Sequence, residues 1–370
     1  MSLLISILIL LSIDLYIILI VAISIGWFKI KETSINNDLQ DINTFSIIIP
    51  FKNEASNLTP LLKDLSQLNY SVSNYEIIFV NDDSVDDSVE LISKYISSNN
   101  LSWLLLSSSG GKKKAIEKAI NKAQNKYIIS IDADCRIPDG ILKAYNTTLI
   151  KRETKMISGP VAFYSNNRIF GQLLELEFIS LIGSGAGSIG IEKPIMMNAA
   201  NMLFERKLAI EASNKVYNDK TKSGDDIFLM HFLIEKYGAN EIQFLKNKDA
   251  IISTKAPTNV TELIKQRIRW TAKARHYKIN FTSIAALIVL FLNFIFMISF
   301  FMMFLPEYST LFLFIFIVKT IIDLPLLFST ASFLGQKNRL ILLPLLQFIY
   351  PFYIVTTAFA GLLSKESWEK

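Results

Sequence analysis

Long apolar stretches at both ends of the chain constrain its fold more than any other feature. The first covers residues 3–28 and carries a single charge, Asp14. Three more lie near the C-terminus, at residues 281–305, 309–330 and 340–363. A helix needs about 20 apolar residues to cross a bilayer, so each run predicts a membrane-spanning helix. We therefore expect an anchor (1–28), a polar domain (29–280) and a C-terminal membrane region with about three transmembrane helices (281–370).

The first run has a rival interpretation as a cleaved signal peptide. It has no basic segment at its start and exceeds the apolar length of a signal peptide, so we interpret it as a retained anchor. Lys29 and Lys31 follow it directly. Positive charges flank membrane helices on the cytoplasmic side. The sequence thus predicts an integral protein of the plasma membrane whose polar domain is cytoplasmic.

Composition excludes several other classes of protein. Hydrophobic residues make up 51% of the chain, too many for an ordinary soluble enzyme. The net charge of +5 is locally clustered, which favours contact with anionic lipid and argues against a nucleic-acid partner. The single cysteine, Cys135, permits no intrachain disulfide, and two histidines are too few for a His-rich zinc site.

Apolar, strand-like runs alternate with amphipathic helical patterns along the polar domain. The predicted strands cover residues 45–51, 75–80, 101–106 and 127–131, and the predicted helices cover residues 57–68, 86–97 and 113–125. This alternation implies right-handed β-α-β crossovers, and hence an α/β, Rossmann-like domain with a mostly parallel sheet. Ligands bind such sheets beyond the carboxyl ends of the strands.

An acidic pair follows the last of these strands, in the segment YIISIDADCRIP. If the strand continues to Asp134, alternation places Asp132 and Asp134 on one side and turns Cys135 away as a packing residue. Two close carboxylates repel each other, and Mg²⁺ or Mn²⁺ would remove that cost. The alternative is a solvated turn. Polar clusters at residues 52–54 and 81–83, after two other strands, favour a ligand site.

Three later segments have open interpretations. Residues 168–191 predict a helix too short to span a bilayer, packed either in the core or at the membrane surface. Asp225 and Asp226 either cap a helix or carry function. Residues 260–278 predict a basic amphipathic helix on an anionic membrane surface, within an interfacial segment at 255–280. Its basic residues are Lys265, Arg267, Arg269, Lys273, Arg275 and Lys278.

Charges also occur in and around the C-terminal spans. Lys319 and Asp323 are four residues apart and share a helix face, so we interpret them as a structural ion pair. Lys337 and Arg339 predict a cytoplasmic loop before the last span, which places the tail SKESWEK on the other side. The two prolines of the last span leave a re-entrant segment as the alternative.

Together these motifs resemble the family 2 glycosyltransferases, specifically membrane-anchored inverting enzymes with a GT-A fold. The resemblance covers about residues 44–272 and the flanking spans. It depends on the order and spacing of six short segments: IPFKNE (49–54), NDDSVD (81–86), GKKKAI (111–116), DAD (132–134), GDD (224–226) and QRIRW (266–270). The last matches the Q-x-x-R-W signature of synthase-like members.

The resemblance implies a role for each matched residue. Pro50, Glu54 and Asp82 or Asp83 would line the base and ribose pocket, and Lys112 or Lys114 would help to hold the nucleotide. Asp132 and Asp134 would bind Mg²⁺ or Mn²⁺ at the diphosphate. The catalytic set would comprise Asp226 as general base, its neighbour Asp225, and Gln266, Arg269 and Trp270 near the diphosphate and acceptor. The family often has Glu-Asp where this chain has Asp225-Asp226, which leaves the supporting role of Asp225 open.

We therefore expect an enzyme that moves a sugar from a nucleotide-diphosphate sugar, with UDP as the expected nucleotide, to a lipid-linked or membrane-embedded acceptor. Two alternatives come from other classes. A transporter or channel subunit would use Asp14, Lys319 and Asp323 as its pathway, but leaves the acidic motifs of the polar domain without a role. A non-catalytic nucleotide-sugar binding module would keep the motifs without turnover.

Overall fold

The computed structural model describes residues 3–36, 38–165, 168–216, 224–272, 281–305 and 309–363. Its internal contacts divide the chain into two compact units. The α/β unit comprises Ile30–Phe163 and Met196–Lys255, and the helical unit comprises Met1–Lys29, Tyr164–Ile195 and Ala256–Lys370. The segments at 164–195 and 256–272 thus group with the helical unit, whereas the sequence placed them with the polar domain.

The elements follow one another in this order. The strands are β1 (Phe45–Phe51), β2 (Tyr75–Asp82), β3 (Leu104–Ser108), β4 (Tyr127–Ser130), β5 (Cys135–Arg136), β6 (Met156–Ser158), β7 (Val161–Tyr164), β8 (Met202–Glu205), β9 (Ile242–Phe244) and β10 (Ile252–Lys255). The helices are α1 (Leu3–Lys29), α2 (Ala55–Ser66), α3 (Ser88–Ser98), α4 (Lys112–Lys122), α5 (Ile141–Lys151), α6 (Ile169–Gly190), α7 (Arg206–Val216), α8 (Asp225–Tyr237), α9 (Val260–Ala272), α10 (Phe281–Met302), α11 (Ser309–Phe333) and α12 (Leu343–Leu363).

A seven-stranded sheet in the order β3-β2-β1-β4-β8-β6-β9 forms the centre of the α/β unit. The first four strands in this order are mutually parallel, which confirms the predicted mostly parallel α/β class. β8 runs antiparallel to both of its neighbours. Every residue of β1 is buried, as expected for a central strand covered on both faces. A second sheet has the order β5-β10-β7.

The third strand begins later than its sequence predicts. Leu104 pairs with Ile78, whereas the prediction started the strand at residue 101. Trp103 instead stacks on Tyr95 of α3, with ring centroids 5.9 Å apart. β3 lies at the edge of the sheet and is partly exposed, so the apolar pattern specifies its register only weakly.

Five helices among the described residues are long and apolar enough to cross a membrane: α1, α6, α10, α11 and the segment that contains α12. The predicted spans are therefore present as helices. The prediction for α6 was wrong in length, because this helix has 22 residues and meets the same criteria. It packs closely on α1, since a Cβ atom added to Gly187 or Gly190 would overlap the α1 backbone.

A buried polar cluster lies inside the helical unit. Lys319 Nζ is 2.9 Å from Asp323 Oδ2, which confirms the predicted ion pair. Asp323 also accepts hydrogen bonds from Tyr16 of α1 and Gln347 of α12, at 2.7 Å each. The cluster thus joins three helices. The last helix runs without a break through Pro351.

The basic helix differs from its prediction at one position. Arg267 is buried, with only 5% of its surface exposed, so it does not face a lipid surface. Its partner is Glu177 of α6. Lys265 and Arg269 of the same helix are exposed. Lys273, Arg275 and Lys278 lie outside the described residues, as does the tail SKESWEK.

Candidate active site

The loops that follow β1 and β2 are held together by hydrogen bonds to backbone amides. Ser84 Oγ accepts from the amide of Asn53 at 3.0 Å, and Ser88 Oγ accepts from the amide of Glu54 at 2.9 Å. Asn53 has a φ of 55°, a left-handed conformation that asparagine tolerates better than most residues. These bonds place Glu54 at the carboxyl edge of the parallel sheet, directly after the strand that contains the buried Pro50.

The two acids at the end of β2, Asp82 and Asp83, have different surroundings. Asp82 is buried and its Oδ1 accepts from the amide of Gly111 at 2.9 Å, which ties the strand end to the start of α4. Gly111 has a φ of 96°, a conformation that favours glycine. Asp83 is exposed and borders an open cleft of about 590 Å³, together with Lys114 and three serines at 107–109.

The acidic pair lies in a turn, not on a strand. β4 ends at Ser130, and the amide of Cys135 donates to the Asp132 carbonyl at 3.2 Å. Strand alternation therefore does not orient these side chains. Cys135 is buried, as expected for packing, but the prediction that it turns away was wrong, because its Sγ is 3.8 Å from Asp134 Oδ1. Burial raises the pKa of its thiol well above the usual range.

Arg136 fixes the end of this turn to α2. Its Nε and Nη2 donate to the two carboxylate oxygens of Asp64 at 2.6 and 2.7 Å. Asp64 also accepts from the amide of Ile137 at 3.1 Å. A planar, bidentate pair of this kind restricts orientation as well as distance. No feature of the six matched segments predicts it, because Asp64 lies in an ordinary amphipathic helix.

Lys112 connects the acidic turn with the start of α8. Its ammonium is 2.5 Å from Asp132 Oδ1. Burial alone would lower the pKa of Lys112, but the charges of Asp132, Asp225 and Asp226 outweigh it, and the pKa is raised. The Lys112 ammonium thus contacts Asp132 and also interacts electrostatically with Asp225 and Asp226. The structure thus separates the two candidate lysines, since Lys112 faces the acids and Lys114 borders the cleft beside Asp83.

Neither Asp225 nor Asp226 is the cap of α8. The N-cap residue is Gly224, whose φ is 96°, and both acids occupy the first helical turn. Acids in this position interact favourably with the helix dipole, so stabilisation of the helix start explains their presence in part. Asp225 is 8% exposed and Asp226 is half-buried. Half-burial leaves the Asp226 carboxylate accessible to a ligand.

The donor set of the acidic turn fits a hard divalent cation. Burial, followed by the charges of Asp132 and Glu54, raises the pKa of Asp134 to about 6, so a nearby cation would favour the ionised carboxylate. Among the described residues, no group of three or more His, Cys, Asp or Glu side chains is arranged to hold a metal. A cation at Asp132 and Asp134 would therefore need further oxygen atoms from a bound ligand.

The remaining matched residues lie in the helical unit, on α9. Arg269 is exposed, whereas Gln266 and Trp270 are half-buried. Arg267 lies between them and pairs with Glu177, a contact that the sequence analysis did not predict. A signal was available, because a carboxylate in an otherwise apolar helix predicts a buried cationic partner.

Comparison with known proteins defines the class. Residues 46–209 match the sequence model of Glycosyl transferase family 2. The fold is of the GT-A type: a mannosyltransferase from Pyrobaculum calidifontis, solved with GDP-mannose and Mn²⁺, aligns with a TM-score of 0.56 at 13% identity, over 96% of this chain and 100% of that one. Residues 46–209 therefore match a family 2 glycosyltransferase domain, and the resemblance inferred from the motifs is confirmed.

Two curated relatives are polysaccharide synthases. The poly-β-1,6-N-acetyl-D-glucosamine synthase of Staphylococcus epidermidis is 25% identical over 255 residues, covering 67% of this chain and 60% of that protein. The Staphylococcus aureus synthase of the same name is 28% identical over 155 residues, covering 41% and 36%. The chain thus spans at most about 60% of the length of these relatives.

Proposed function

We propose that this chain is a membrane-bound inverting glycosyltransferase that takes a sugar from a nucleotide-diphosphate sugar, with UDP as the expected nucleotide. The observation that carries the proposal is the ion pair between Lys112 and Asp132 in a family 2 domain, where Asp225 and Asp226 add further negative charge near Lys112. Asp132 comes from the turn after a parallel strand, and Asp226 comes from the start of α8. Ligands bind such sheets at this edge.

Each residue has a defined task in the proposed reaction. The acceptor hydroxyl is a poor nucleophile, and Asp226 takes its proton as the hydroxyl attacks the anomeric carbon. Negative charge then builds on the leaving diphosphate, where the charged Lys112 stabilises it. A divalent cation, Mg²⁺ or Mn²⁺, would be held by Asp132 and Asp134 and would supply further positive charge. One displacement inverts the anomeric centre, so no second nucleophilic carboxylate is needed.

The other matched residues keep the roles implied by the resemblance. Pro50, Glu54, Asp82 and Asp83 would contact the base and ribose, and Lys114 would approach the nucleotide from the cleft. Gln266, Arg269 and Trp270 would act on the diphosphate and acceptor. Asp225 would support Asp226.

The decisive experiment replaces the general base. We expect Asp226→Asn to lower sugar transfer by about 100-fold or more, because it removes the only proton acceptor assigned to the hydroxyl. The affinity for the nucleotide sugar should change little. Glu235→Gln, on the exposed part of the same helix, is the matched control and should turn over normally. Normal transfer by Asp226→Asn would exclude this residue as the base.

Release of nucleoside diphosphate from a panel of nucleotide sugars, with and without Mn²⁺, separates the classes of function. An enzyme releases it from at least one donor, and the release depends on the metal. A non-catalytic module binds a donor without releasing nucleoside diphosphate. A transporter subunit does neither.

We propose a lipid-linked or membrane-embedded acceptor, because five helices among the described residues are long and apolar enough to cross a membrane. A growing polysaccharide is a second candidate, favoured by the names of the two staphylococcal synthases. Product length on a lipid-linked acceptor, measured with the full chain in detergent, distinguishes one addition from many. Equal activity on water-soluble and lipid-linked acceptors would contradict the membrane acceptor.

We also propose the plasma membrane as the location and the cytoplasm as the side of the α/β unit.

A further inference from the structure

Arg267 occupies an unusual place within the segment QRIRW. It lies one residue from Gln266 and three from Trp270, yet only 5% of its surface is exposed. On α9 it shares the buried face with Leu263, one helical turn away. Arginine is rarely buried in this way unless it is paired.

Every side of the Arg267 guanidinium has a defined neighbour inside the helical unit. Nη2 donates to Glu177 of α6 in a short hydrogen bond, and Nε donates to the hydroxyl of Tyr353 of α12 at 2.5 Å. Nη1 donates to Gln266 Oε1 at 2.9 Å. The guanidinium carbon lies 4.1 Å from the centre of the Trp270 ring. The guanidinium therefore contacts two other helices and two residues of its own segment.

Stability alone does not account for a buried ion pair of this kind. The cost of removing both charges from water often exceeds their attraction, and apolar replacements of similar size are often neutral or stabilising. The side chains that Arg267 contacts within its own helix are Gln266 and Trp270. A planar guanidinium can hold an amide oxygen in its plane and an aromatic ring against its face at the same time.

We propose that Arg267, Glu177 and Tyr353 are positioning residues that set the orientation of Gln266 and Trp270 for sugar transfer. This inference depends on the proposed function, because it requires Gln266 and Trp270 to act in the reaction. Glu177 and Tyr353 anchor the guanidinium to α6 and α12, and the guanidinium in turn orients the amide of Gln266 and the ring of Trp270.

The test uses an uncharged replacement that should still fold. The full chain in detergent is compared with the double variant Glu177→Leu/Arg267→Met, which removes both charges together. The matched control is Glu175→Leu/Arg339→Met, because Glu175 lies two residues away on α6 and forms a second buried ion pair with the loop before α12. The measurements are the thermal midpoint, the kcat and KM of nucleoside diphosphate release, and acrylamide quenching of Trp270 fluorescence. The Trp270 signal is the difference between each protein and its Trp270→Phe counterpart.

We expect the Glu177→Leu/Arg267→Met variant to keep its thermal midpoint and the KM for the donor, and to lose about tenfold or more in kcat, since small misplacements of acting groups are costly. Quenching of Trp270 should rise. The control should keep kcat within about twofold and leave Trp270 quenching unchanged, because its ion pair joins α6 to the loop before α12 and not to α9. Arg267→Lys, which keeps the charge but not the planar fork, should also lose kcat.

Wild-type kcat in the folded Glu177→Leu/Arg267→Met variant would overturn the positioning role, as would unchanged Trp270 quenching. Failure of the proposed function has a different signature. In that case the unmodified chain releases no nucleoside diphosphate from any donor, and the quenching measurement alone decides whether Arg267 orients Trp270.

Discussion

At the scale of single residues, Asp134 shows how the fold prepares the acidic turn. Burial and the charges of Asp132 and Glu54 raise the pKa of its carboxyl to about 6. Positive charge near such a carboxyl group favours its ionised form. Lys112 supplies one such charge at Asp132.

This raised pKa predicts a pH dependence of stability. An unfolded aspartate has a pKa of about 4, so between about pH 4 and 6 the folded protein retains a proton that the unfolded chain releases. The contribution of Asp134 to stability is therefore greatest at low pH and is lost as the pH rises through about 6. We expect the thermal midpoint of the metal-free protein to reflect this loss of stability as the pH rises from about 4 to 6. The Asp134→Asn variant should lack this pH dependence.

The control for that measurement is Asp139→Asn, which changes an exposed aspartate five residues further along the chain. This variant should keep the pH dependence of the unmodified protein. If the Asp134→Asn variant shows the same pH dependence as the unmodified protein, Asp134 does not titrate as its surroundings indicate.

At the scale of elements, the bidentate pair between Asp64 of α2 and Arg136 of β5 fixes the turn that carries Asp132 and Asp134. Asp64→Ala removes the acceptors used by Arg136 and by the amide of Ile137. We expect it to lower the free energy of unfolding by about 1–3 kcal/mol, as for lost hydrogen bonds to a buried charged group.

The same variant should weaken Mn²⁺ binding by about tenfold or more, because outer-sphere partners orient metal ligands. Isothermal titration calorimetry with Mn²⁺ in the presence of nucleoside diphosphate measures the dissociation constant. Lys63→Ala, next to Asp64 on the exposed side of α2, should change neither quantity. An unchanged Mn²⁺ dissociation constant in the folded Asp64→Ala variant would show that the turn does not depend on this pair.

At the scale of the whole molecule, the polar cluster of Tyr16, Lys319, Asp323 and Gln347 separates an enzyme from a transporter. Lys319 is 4% exposed, and both Asp323 and Gln347 accept from it. Polar groups that pair with one another across α1, α11 and α12 indicate a structural contact between the helices. Breaking one charge of a buried pair leaves the other uncompensated.

We therefore expect Lys319→Met to lower the thermal midpoint, and Lys319→Met/Asp323→Leu to regain part of the loss. Nucleotide affinity should stay unchanged in both, because the α/β unit supplies Asp132, Asp134 and Asp226 from its own residues. The unmodified protein, reconstituted in liposomes, should mediate no ion flux. Ion flux that disappears in the Lys319→Met variant would favour the transporter alternative.

Much of the fold and part of the site followed from local patterns. The apolar lengths predicted the spans, and β1 was predicted to the residue because three consecutive isoleucines between two aromatic residues are a strong local signal. The polar clusters after successive strands predicted that Glu54, Asp83 and Asp132 share one edge of a parallel sheet. These features depend only on residues close together in the chain.

Only the tertiary structure decided the features that depend on distant partners. Asp225 and Asp226 identify Lys112 as the lysine of the acidic site, more than a hundred residues away in the chain. Arg267 pairs with Glu177 and so does not face lipid. The glycines of α6 pack against the α1 backbone. Charge pairing and close helix packing act through space, so the sequence alone determined the membrane spans and the sheet, and the fold determined which charges meet.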